Sequence, residues 1–181
     1  RANLNYNNAF LRHDEDRRRA YLDSLSKGET KINAGTLYPY DIVHKYTANS
    51  KYGWSTKAIE KIDDTLEALW KALPNKVTDG SNTIVVADGS GSMTSPVSKS
   101  GVTALDVANS LAIYFAERAQ GEFKNKYITF SGRPQLVNLN GKSLRDNIEI
   151  AFKHNEVANT NVKAVFELIL KTAVNNHMTQ E

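Results

Sequence analysis

The run Thr83-Ile84-Val85-Val86-Ala87 passes directly into Asp88-Gly89-Ser90-Gly91-Ser92-Met93, and this junction constrains the fold more than any other stretch. A continuous β-branched run without polar alternation is the pattern of a central parallel strand buried on both faces. The glycines behind it permit a tight turn. A helix is then expected from about Val102 to Ala119, with Leu105, Ala108, Leu111, Ala112 and Phe115 on one face. Two short strands follow, Lys126–Phe130 and Gln135–Leu139, joined by Ser131-Gly132-Arg133-Pro134. So short a turn predicts an antiparallel hairpin beside the 83–87 strand, because a parallel connection needs a crossover of about a dozen residues or more. Ser143 opens a helix with Leu144, Ile148, Ala151 and Phe152 on its inner face. A last helix, about Val162 to Asn176, groups Val162, Val165, Phe166, Ile169 and Ala173. That order of elements predicts an α/β fold, an open sheet carrying one antiparallel edge strand.

The grammar before residue 79 is different. Asp14 to Lys27 reads as a helix closed by Gly28, a residue suited to the left-handed position after a helix. Pro39 suits the first turn of a second helix, Asp41 to Tyr46. Ser55 is the expected cap of a third, in which Ile59, Ile62, Leu66, Leu69, Trp70 and Leu73 keep helical spacing until Pro74 stops it. Residues 1–78 therefore read as an all-α region and residues 79–181 as the α/β domain, with a linker over 75–82 that contains Asp79-Gly80-Ser81.

Composition removes several chemistries. Without cysteine there is no disulfide scaffold, thiolate zinc site or thiol nucleophile. His13, His44, His154 and His177 lack the spacing of a helical zinc motif. Ser90 sits in Asp-Gly-Ser-Gly-Ser rather than Gly-x-Ser-x-Gly, and no His–Asp partner can be nominated for it. No phosphate-binding P-loop motif occurs. The apolar runs are too short for a transmembrane helix, and the polar start RANLNYNNAF is no signal peptide, so a cytoplasmic address without membrane association is the default expectation. The net charge of +3 is spread evenly: residues 1–80 carry 13 Lys+Arg against 11 Asp+Glu, and residues 81–181 carry 10 against 9. A phosphate-binding surface usually concentrates its cations. The one basic run, Arg17-Arg18-Arg19, follows Asp14-Glu15-Asp16 and reads as a solvated helix face.

The chemistry is expected at Asp88-x-Ser90-x-Ser92. Ligands of open α/β sheets bind at the carboxyl ends of the strands. There the loop offers one carboxylate and two hydroxyls, all hard oxygen donors, at a spacing of two that lets alternate side chains converge. Mg²⁺ suits such donors and keeps bound waters, so few protein groups are enough. A plainer reading makes Ser90 and Ser92 turn and helix-cap residues.

The run IVVADGSGSM resembles the metal-ion-dependent adhesion site (MIDAS) of von Willebrand factor A domains, whose signature is Asp-x-Ser-x-Ser. That family adds a Thr from a second loop, matched in order by Thr160 in Ala158-Asn159-Thr160-Asn161, and an Asp from a third loop. More narrowly, KGETKINAGTLYPYDIVHKY and ITFSGRPQLVNLNGKSLRDNI resemble a Ro-like (TROVE-related), DUF2828-like group found in plants, fungi, large viruses and bacteria. In Ro-type proteins an α-helical RNA-binding region precedes a von Willebrand A domain. The resemblance covers most of residues 18–176. It implies a Rossmann-like von Willebrand A sheet, incomplete at its C-terminal end, and a metal site of Asp88, Ser90, Ser92 and Thr160. The ion would be Mg²⁺, with Mn²⁺ or Ca²⁺ as alternatives.

The function so implied is non-catalytic: metal-dependent recognition of a protein partner that supplies a carboxylate. The competing reading is RNA binding by the helical region, with the α/β domain as scaffold. Tyr38, Tyr40, Tyr46, Tyr52 and Trp54 could stack on bases or pack between helices. Thr160 could instead cap the last helix, and Asp106 suits the positive end of the helix after the motif. The chain opens on Arg1 rather than Met and stops at Glu181, where a further strand and the third-loop Asp are expected. It therefore reads as a piece of a longer protein, one that would be unstable or self-associating by itself.

Overall fold

The computed structural model describes residues 8–10, 12–48, 61–77, 83–156 and 159–179. Along them run α1 (Glu15–Ser26), α2 (Pro39–Thr47), α3 (Asp64–Lys71), β1 (Val86–Asp88), α4 (Ala104–Arg118), β2 (Lys126–Phe130), β3 (Leu136–Asn138), α5 (Leu144–Lys153) and α6 (Val162–Asn175). They form two compact units: α1 with α3, and α2 with the sheet and α4 to α6. Helix α2, grouped with the helical region on sequence, thus belongs with the α/β elements. None of the described helices is long and apolar enough to cross a membrane.

In the first unit α1 follows Asp14, and Glu15 and Asp16 fill a first turn where carboxylates oppose the helix dipole. Gly28 closes it at φ 73°, as its sequence position predicts. The outer two arginines of the triple run are engaged locally and the middle one reaches α3. Arg17 lies 3.8 Å from Asp14, and Arg19 pairs with Glu15. The Arg18 guanidinium donates to Thr65 Oγ1 at 2.6 Å and lies over the Tyr21 ring. Helix α3 begins later than the sequence suggested. Its cap is Asp63, whose Oδ1 accepts from Thr65 N and Leu66 N at 2.9 and 3.2 Å. The expected cap Ser55 and the apolar Ile59 lie outside the described residues, as do Asp79-Gly80-Ser81, Tyr52 and Trp54. Leu66, Trp70 and Leu73 are buried as their spacing predicts, whereas Ile62 is half exposed.

In the second unit the sheet order is β1-β2-β3. β1 runs parallel to β2, with Asp88 opposite Phe130. β2 and β3 form the antiparallel hairpin, Tyr127 opposite Val137, so that prediction holds. The central strand, however, is β2 rather than the 83–87 run. Tyr127, Ile128 and Thr129 are all buried, so both faces of β2 are covered. β1 is only three residues long, and among the described residues it pairs with β2 alone. Val86 is 39% exposed while Ala87 is buried. The face that carries Ala87 is covered and the one that carries Val86 is not, which corrects the expectation of burial on both.

Helix α4 organises the core. Thr103 caps it by accepting from Asp106 N at 3.1 Å, and Asp106 Oδ2 accepts from Thr103 N at 3.0 Å, a reciprocal capping box. Its buried face is Leu105, Asn109, Ala112, Ile113 and Ala116, rotated from the expected one, and Leu111 is 38% exposed. The rotation follows from its neighbours: α2 packs against one side of α4, and β1, β2 and α5 against others. Ile42, Val43 and Tyr46 of α2 are buried. Helix α5 behaves as predicted: Ser143 Oγ accepts from Asp146 N at 3.1 Å, and Leu144, Ile148 and Ala151 are buried. Helix α6 does not. Val165 is buried, but Val162 and Phe166, expected beside it, are 55% and 68% exposed.

Candidate functional site

β1 ends at Asp88, and the chain turns at once because Asp88 Oδ1 accepts from Ser90 N at 2.8 Å. A short 3-10 turn, Gly91–Thr94, follows. Thr94 Oγ1 and Met93 N close it by donating to the carbonyls of Gly91 and Ser90. In this geometry Ser90 Oγ and Ser92 Oγ lie 3.2 Å apart. Ser90 stands at the N-cap of the 3-10 turn without making a side-chain cap bond, and the cap of α4 is Thr103. Both serines are thus turn residues, as the plainer reading has it, but neither side chain caps a helix. The loop is held to α4 farther along, by the 2.8 Å bond from Val97 N to Val102 O and the 3.2 Å bond from Ala104 N to Ser95 O.

Thr160 precedes α6 and is exposed. The helix is capped by Asn161, whose Oδ1 accepts from Ala164 N at 3.1 Å, so Thr160 is not the cap. Asn161 N donates to Ser131 O at 3.1 Å. Ser131 follows Phe130, the partner of Asp88 across the parallel ladder. The segment bearing Thr160 is thereby tied to the same carboxyl end of the sheet as the Asp88–Ser92 loop. The structure thus brings Asp88, Ser90 and Ser92 into one turn and tethers the Thr160 segment at the adjacent strand end.

The donor set is oxygen only: one carboxylate and three hydroxyls. Among the described residues no group of three or more histidines and carboxylates gathers as a conventional metal cluster. Oxygen donors of this kind are the type that hard cations take. Gly89 is buried, and the loop needs glycine there for want of space. A Cβ on Gly89 would stand 2.8 Å from Asn155 Oδ1 and 3.1 Å from Asn155 Cα.

Two features escaped the sequence reading. Asp106 is more than a dipole partner: His44 Nδ1 lies 2.9 Å from its Oδ2, and Thr47 Oγ1 donates to its Oδ1 at 2.7 Å. An acceptor-only carboxylate fixes the proton on His44 Nδ1. The pair joins α2 to the start of α4, close behind the loop. Thr103-x-x-Asp106 carries the capping-box spacing in sequence, but nothing marks His44 as its partner 62 residues earlier. The second feature is Asn155, which no motif singles out.

Residues 82–181 match the family described as "Domain of unknown function (DUF7788)", and residues 2–82 match "Domain of unknown function (DUF2828)". A relative from Acanthamoeba polyphaga mimivirus, "Uncharacterized protein L728", is 31% identical over 158 residues. The match takes in 86% of this chain and 25% of that protein, so the chain spans about a quarter of its relative's length. No solved structure matches the chain.

Proposed function

The chain belongs to the DUF7788 family through residues 82–181, and from the oxygen-lined loop of that domain we propose a non-catalytic, divalent-metal-dependent module that binds a protein partner. The observation that carries this reading is the convergence of Ser90 Oγ and Ser92 Oγ at 3.2 Å beside Asp88, with neither hydroxyl used for capping. In this reading the domain is of von Willebrand A type within a Ro-like protein. Asp88, Ser90, Ser92 and Thr160 would hold Mg²⁺, or Mn²⁺ or Ca²⁺ in its place. When bound, the cation supplies an electrophilic position that accepts a carboxylate from the partner. Asp88 brings a single negative charge to that position, so the donor set leaves the site net positive and favours an incoming anion. The serine and threonine hydroxyls add dipoles without neutralising it.

RNA binding by the helical unit is the rival, and the pairing of Arg17 and Arg19 with acidic neighbours, with Arg18 turned to Thr65, offers it little. Calorimetric titration of Mg²⁺ into the chain and into Asp88→Ala tests the metal reading. Uptake by the first and none by the second is expected; equal heats would overturn it. Mg²⁺-dependent, salt-insensitive capture of an acidic peptide supports the partner class. Steeply salt-dependent RNA binding without Mg²⁺ would favour the rival.

A further inference from the structure

The loop at the end of β1 does not stand alone; Asn155 is seated directly against it. Asn155 lies just past the C-cap of α5, where its N donates to Phe152 O at 3.3 Å and the preceding His154 holds Nδ1 2.8 Å from Ile150 O. Its carboxamide covers the buried Gly89 so closely that no side chain fits between them. Its Nδ2 is buried and has no hydrogen-bond partner among the described residues. A buried donor without a partner is unfavourable and calls for a reason. Asn155 is held on Gly89, and Asn161 N donates to Ser131 O.

We propose that Asn155 is a positioning residue of the metal site: seated on Gly89, it holds the Asp88–Ser92 loop in place and keeps its immediate surroundings polar but uncharged. This inference rests on the metal reading above. A carboxamide suits the role because it offers oxygen and N–H at the loop without adding charge. A second carboxylate there would bind the cation more tightly and leave it less attractive to a partner's carboxylate.

Asn155→Asp tests the placement, since a merely structural asparagine would not convert a new charge into cation affinity. Titration with Mg²⁺ is expected to show roughly tenfold or greater tightening, the scale of one added charge near a divalent ion. Asn155→Ala is expected to weaken Mg²⁺ binding several-fold, with its melting temperature in EDTA close to that of the unsubstituted chain. The control is Asn138→Asp on β3, an exposed position at the far edge of the sheet, which should change nothing. If Asn155→Asp does not fold, the unsubstituted chain still decides: substoichiometric Mn²⁺ should broaden the Asn155 side-chain amide signals together with the Ser90 and Ser92 amides. Unchanged affinity in Asn155→Asp, or a sharp Asn155 signal while the serines broaden, would overturn the inference and leave the metal reading intact. Absence of any Mg²⁺ uptake by the unsubstituted chain would sink both.

Discussion

Helix α5 buries Leu144, Asn147, Ile148 and Ala151 within ten residues, whereas α6, at 14 residues and richer in apolar side chains, buries only Val165 and Thr172. Val162, Phe166, Leu170 and Val174 recur every fourth residue along α6 and are 55%, 68%, 66% and 63% exposed. Both helices carry the apolar periodicity of an amphipathic segment. The difference lies in their neighbours. α5 packs against α4, and Asn147 ties it there by donating to Glu117 Oε1 at 2.8 Å and to the preceding loop by accepting from Gly141 N at 2.9 Å. α6 rests on β2, and Thr172 Oγ1 donates to Leu168 O of its own helix. Periodicity says that a helix has an apolar face; only the surrounding elements say whether that face is covered.

The comparison can be broken most directly at the apolar positions. Ile148→Ala should cost about 2–5 kcal/mol in urea unfolding, as removal of a fully buried aliphatic side chain does. Phe166→Ala should stay within about 0.5 kcal/mol, as at an exposed site. Equal losses would mean that α6 is as covered as α5. Polar residues sharpen the contrast at a smaller scale. Asn147→Ala leaves Gly141 N without this acceptor and takes one donor from the Glu117 carboxylate, and should cost about 1–3 kcal/mol. Thr172→Ala removes only a bond within its own helix and should cost clearly less in the same measurement.

At the helix starts the contrast should vanish. Ser143→Ala and Asn161→Ala each remove a side-chain cap and should each lower stability by about 1 kcal/mol, because capping is local to the first turn. A large difference between these two would show that tertiary contacts reach the caps. Smallest of all should be the stability effect of Leu170→Ser combined with Phe166→Ser on the exposed stripe. Its readout is sedimentation: less self-association than the unsubstituted chain is expected, since exposed apolar stripes promote contact between copies. An unchanged profile would show that the stripe takes no part in association.

The same division runs through the rest of the molecule. The β2–β3 hairpin was legible because a four-residue turn leaves antiparallel pairing as the short-range solution. Gly28 and Ser143 were legible because termini depend on one residue's own backbone or hydroxyl. The Asp88–Ser92 loop was legible for a similar reason, its turn being closed by Asp88 on Ser90 N. The central position of β2 was not legible, because a β-branched run announces a strand and says nothing about how many neighbours it finds. Nor was the rotation of α4, which brings Asn109 inward and leaves Leu111 half exposed.

What the sequence determined by itself is therefore the local part of this protein: element types, most helix starts and stops, and the oxygen donors of one loop. Each depends on interactions within a few residues, where the chain has few alternatives. Tertiary structure alone decided that His44 meets Asp106, that Asn155 closes on Gly89, and that the Thr160 segment hangs from Ser131. Those contacts join residues 30 to 66 positions apart. Their formation depends on how whole elements pack, and no local propensity encodes the packing.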